Sequence, residues 1–79
     1  MNNSTQLLER ITINSGLMGG RPTIRGQRFT VSDILELLAS GLTHDEILDQ
    51  HPILEKEDIL AALKFASQRM NNTAYIHAA

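Results

Sequence analysis

Four arginines, Arg10, Arg21, Arg25 and Arg28, fall within residues 10–32, a stretch that contains no acidic residue. A guanidinium presents a planar fork of donors that fits phosphate oxygens or the O6/N7 edge of guanine. Four of them on one short element predict a compact patch for double-stranded DNA. The competing reading pairs the same arginines with Asp33, Glu36 and Glu46 in a surface ion network, since such pairs are frequent and individually weak. Lys64 and Arg69, much further along, are the remaining candidates for contact with a nucleic-acid backbone. Residues 33–79 hold three bases against eight acids, and the whole chain of 79 residues carries a net charge of −2. Bulk charge therefore excludes a protein that coats nucleic acid, while the local concentration of arginine leaves a focused contact open.

Other chemistries find little support. Gly19, Gly20 and Gly26 fit neither phosphate-cradling glycine pattern and read as turn residues. His44, His51 and His77 are widely spaced and the chain has no Cys, so neither a metal site nor a cofactor is expected. No candidate nucleophile stands beside a base, which predicts a non-enzymatic protein without a small-molecule substrate. With Phe29, Phe65 and Tyr75 as its only aromatics, the chain lacks a stacking platform for single strands.

The arginines need elements to hold them. Residues 10–13 and 22–30 are β-prone and flank a loop rich in Asn, Ser and Gly, which predicts a short N-terminal β-hairpin with a further tight turn at Gly26. Strands this short require a helical cover. Thr30 followed by Asp33 opens a first helix whose Val31, Ile34, Leu35 and Leu38 share one face, and Gly41 stops it near Ser40. Thr43 with Glu46 forms a second capping box, opening a two-turn helix that ends before His51 and Pro52. A third helix runs from Lys56 to about Met70, with acids in its first turn and an expected core face of Ile59, Ala62, Leu63, Ala66 and Met70. Ala61 and Phe65 fall on its far side and predict a second packing surface. Together with Tyr75 and Ile76 of the tail they are the candidate partner or dimer interface. Residues 1–9 read as a flexible N-terminus and 71–79 as a tail too short to fold alone. No leader or membrane-spanning run is present, so a cytoplasmic protein without a membrane partner is expected. A domain this small buries a limited core, which favours a homodimer.

The outline is mainly α: a three-helix, winged helix-turn-helix bundle with a short basic hairpin beside it. The first turn of the third helix is a poor reading head, since Glu55, Glu57 and Asp58 would meet phosphates. DNA contact is therefore assigned chiefly to the hairpin. The string from Gly19 to Val31, with its Gly-Arg-Pro-x-Ile-Arg-Gly-x-Arg core, followed by residues 33–42, Glu46-Ile47 and residues 58–63, resembles the bacterial family catalogued as domain of unknown function 433, which in turn resembles VapB-type antitoxins. The resemblance spans residues 10–66. It implies a homeodomain-like or winged-helix fold and a partner that is a PIN-type ribonuclease toxin. Glu55 stands where that family usually carries a Thr or Ser cap. The leading expectation is an antitoxin-like DNA-binding protein; the alternative is a protein-protein interaction or dimerisation module with no DNA role.

Overall fold

The computed structural model describes residues 3–72. Four helices and a two-stranded antiparallel sheet follow one another as α1 (Asn3–Leu8), β1 (Ile11–Thr12), a single 3-10 turn (Met18–Gly20), β2 (Thr23–Ile24), α2 (Val31–Ala39), α3 (His44–Gln50) and α4 (Lys56–Asn72). No helix among the described residues is long and apolar enough to cross a membrane.

Local chemistry sets most of these boundaries. At α2 the Thr30 side chain accepts from the Asp33 N–H at 2.9 Å while Asp33 Oδ2 accepts from the Thr30 N–H at 3.0 Å. Thr43 and Glu46 repeat the arrangement at α3. Both capping boxes satisfy backbone donors that a helix start leaves without intrahelical partners. At the far end of α2, Gly41 takes φ 99°. The Leu42 N–H then reaches the Leu37 carbonyl and the Gly41 N–H the Leu38 carbonyl, the paired bonds of a Schellman stop.

The hairpin pairs Ile11 with Ile24 and Thr12 with Thr23. Immediately after β2 the chain reverses through Arg25 (φ 48°) and Gly26 (φ 72°), closed by the Gln27 N–H on the Ile24 carbonyl at 2.8 Å. Two successive left-handed residues give the turn whose twist matches paired strands. The reversal brings the Ile24 N–H onto the Phe29 carbonyl and Thr23 opposite Thr30, so the hairpin feeds directly into α2.

The core gathers Ile24, Val31, Ile34, Ile47, Leu54, Ile59 and Ala62, with Phe29, Leu35, Leu37 and Phe65 at its margin. One helix organises it: α1, α2, α3 and β1 all pack on α4. Here the structure corrects the expected helix face. Ile59 and Ala62 are buried as expected and Ala61 is fully buried as well, whereas Leu63 and Met70 are 40% and 61% exposed. At 100° per residue, the covered stripe through Asp58, Ile59, Ala61, Ala62 and Phe65 is turned roughly a quarter circle from the expected one. Covering α4 from the hairpin side and from α1 produces that rotation. The expected flexible N-terminus contains α1, a helix too short to stand alone and held by its packing on α4.

Candidate functional site

The arginines sort into two groups by what the fold does with them. Arg10 precedes β1 and Arg25 follows β2, and the Arg25 N–H donates to the Arg10 carbonyl at 2.7 Å, which sets the two side chains on the same end of the sheet. Both reach the start of α4. Arg10 Nη1 donates to Glu55 Oε1 at 2.7 Å and to Asp58 Oδ1 at 2.9 Å. Arg25 closes on the same carboxylate, with Nε 3.1 Å from Oδ1 and Nη2 2.9 Å from Oδ2, and its Nη2 also donates to the Ile53 carbonyl at 2.7 Å. The Glu55 N–H completes the set at 2.8 Å from Asp58 Oδ2. Asp58 is fully buried, so its carboxylate exchanges water for donors from two arginines and one backbone amide.

Burial pushes the Asp58 carboxyl up, but the hydrogen bonds from Arg25, the Glu55 N–H and Arg10 outweigh it and hold the group below its ordinary range. Glu55 and then Asp58 raise Arg10 in return, and Asp58 raises Arg25. The acids that pair with the hairpin are therefore Glu55 and Asp58. Asp33 and Glu46, expected as partners, close capping boxes instead, and the Glu36 side chain makes no hydrogen bond or ion pair among the described residues. Asp58, expected from the sequence to meet phosphates, is instead buried under the two arginines and cannot face a ligand. Its place three residues after Glu55 is the one local sign of a capping role, and nothing local shows the arginines arriving from 33 and 48 positions away.

The other candidates are dispersed. Arg21 is exposed, with Nε 3.3 Å from the Met18 carbonyl. Arg28 is exposed and Lys64 half-buried. The Arg69 guanidinium lies over the Phe65 ring, 5.0 Å from its centroid. Phe65 sits at the margin of the core while Ala61 is fully buried outside that cluster, and Tyr75 and Ile76 lie outside the described residues. No three His, Asp or Glu side chains among the described residues form a metal-holding group.

Two open clefts flank α2. One, of about 280 Å³, runs between α2 and α4 and is almost wholly apolar, lined by Pro22, Val31, Leu35, Phe65, Ala66 and Met70. The other, of about 410 Å³, lies between α2 and the end of α3, lined by Phe29, Asp33, Glu36, Leu37, Ser40 and His51.

Comparison with known proteins identifies relatives without an assigned activity. A family model described as a protein of unknown function (DUF433) matches residues 11–66. The crystal structure of a DUF433 member protein from Anabaena variabilis ATCC 29413 is similar at 31% identity and a TM-score of 0.73, over 87% of this chain and 69% of that one. No curated protein matches the chain.

Proposed function

This chain belongs to the DUF433 family, whose function is unknown; from the resemblance of that family to VapB-type antitoxins, together with the surface geometry of this chain, we propose that it is a non-enzymatic protein-binding domain of antitoxin-like kind, with a PIN-type ribonuclease toxin as partner. The observation that carries this reading is the closure of Arg10 and Arg25 on Asp58. That contact engages half of the hairpin's arginines in intramolecular ion pairs, and Glu57 stays exposed in the first turn of α4, where a DNA-reading helix offers donors. The exposed Leu63 and Met70 and the apolar cleft beside α2 add surface of the type that protein partners cover. The test is co-expression with the product of the adjacent reading frame. Co-elution of the two as one complex, with loss of the ribonuclease activity, is expected. Separate elution, combined with DNA binding above that of an equally acidic control protein, overturns the reading.

A second reading, contact with double-stranded DNA, is favoured by the exposure of Arg21 and Arg28 and by the α3–α4 pair, joined by residues 51–55 with α2 packed alongside. Lys64 and Arg69 extend the cationic surface along α4. On this reading affinity falls with salt at a log–log slope near −0.9 for each phosphate neutralised, and Arg21→Ala with Arg28→Ala flattens it by about 2. A homodimer, compatible with either reading, doubles that change. Equal slopes for the wild type and the double variant exclude the hairpin as the contact.

A further inference from the structure

From Phe29 to Glu55 the chain carries Asp33, Glu36, Asp45, Glu46, Asp49 and Glu55 and not one Lys or Arg. All but Glu55 lie on α2 and α3, two helices without a Lys or Arg, while Arg21, Arg28, Lys56, Lys64 and Arg69 belong to the hairpin and α4. The cleft between α2 and the end of α3 opens beside two of those acids. Its apolar part is the Phe29 ring, in a T-shaped contact with His51 at 5.0 Å between centroids and 72° between planes, together with Leu37. Asp33 and Glu36 are exposed on α2 at its rim. Their roles differ. Asp33 Oδ2 is occupied by the Thr30 N–H, whereas Glu36 has both oxygens free of partners among the described residues.

An aromatic floor with an uncommitted carboxylate beside it is complementary to a guanidinium, which stacks on rings and forks onto carboxylates. We propose that the Phe29–Glu36–Leu37–His51 cleft seats an arginine of a partner protein, presented on a segment with neighbouring aliphatic residues. The inference rests on the protein-binding reading and names the chemistry of the partner. Nucleic acid is disfavoured here because its phosphates would meet the Asp33 and Glu36 carboxylates at the rim.

The probe is a labelled ten-residue peptide of alternating Arg and Leu, compared with the same peptide carrying Glu for Arg, titrated by fluorescence anisotropy into the full chain. Glu36→Gln removes the free carboxylate without touching a cap. Asp49→Asn removes the same charge from α3 outside the cleft. Binding of the Arg peptide alone is expected, weakened about tenfold by Glu36→Gln and less than about twofold by Asp49→Asn. Equal losses in the two variants mean diffuse attraction to an acidic face and overturn the cleft. Absence of Arg-peptide binding overturns it as well. If the toxin complex forms and Glu36→Gln leaves it unchanged, this inference fails while the protein-binding reading stands. If light scattering instead shows concentration-dependent growth that Arg21→Ala or Arg28→Ala abolishes, the occupant is a second copy and the assignment to a partner is wrong.

Discussion

Asp58 is the residue on which the architecture turns. A buried carboxylate held by two guanidinium groups is costly to leave half-paired, because removing the acid strands its cations in partly desolvated positions. Arg10 and Arg25 keep 27% and 29% of their side-chain surface, which retains some hydration and lowers the loss. Asp58→Asn is expected to destabilise the fold by about 3 kcal/mol in urea melts, near the lower end of the range for broken buried pairs. Glu55→Gln, at an acid 55% exposed, is expected to cost no more than about 0.5 kcal/mol. The pH dependence has a definite sign. The folded carboxyl titrates below the ordinary value of 3.8. Its contribution is therefore complete above about 3.8 and is withdrawn as the pH falls from there through the lower folded value. Acid titration of wild type against Asp58→Asn should converge at low pH; parallel curves throughout would mean that Asp58 is not the acid-sensitive group.

α4 separates what sequence alone made legible from what it did not. The two capping boxes and the Gly41 stop were readable because every participant lies within a few residues of the others. The β-hairpin and its turn at Gly26 were readable for the same reason. The face of α4 was readable only at Ile59 and Ala62, since Leu63 and Met70 continue that spacing as regularly as Ala61 and Phe65 continue the covered stripe. Only the arrival of α1 and the hairpin decides which one is covered. Phe65→Ala is accordingly expected to lose about 1.5–3 kcal/mol. Leu63→Ala and Met70→Ala should stay within about 0.5 kcal/mol of the wild type in dilute melts, because their side chains remain largely in water. A large loss for Met70 in dilute protein would place it in the folded core; a loss only at high concentration would place it between copies. α1 escaped notice because it carries no capping acid and six residues cannot nucleate a lasting helix.

Across the whole molecule, charge and packing are segregated along different lines. Every other helix and β1 lean on α4, so the described residues share one core. The acids of α2 and α3 sit on elements without a Lys or Arg, and the exposed cations of this chain of net charge −2 belong to the hairpin and α4. Arg25 and Arg10 join Asp58 across 33 and 48 residues, and that separation has a kinetic meaning. Helices α2 and α3 carry their own caps and can begin to form on local contacts, whereas the hairpin can be fastened only after α4 exists and a long loop has closed. The ion cluster is then a late event, absent from the rate-limiting barrier. In stopped-flow chevrons Asp58→Asn should leave the folding limb nearly unmoved, with a φ-value below about 0.3, and should put its whole effect into faster unfolding. The arginine latch would in that case set how long the native state lasts and not how quickly it is reached.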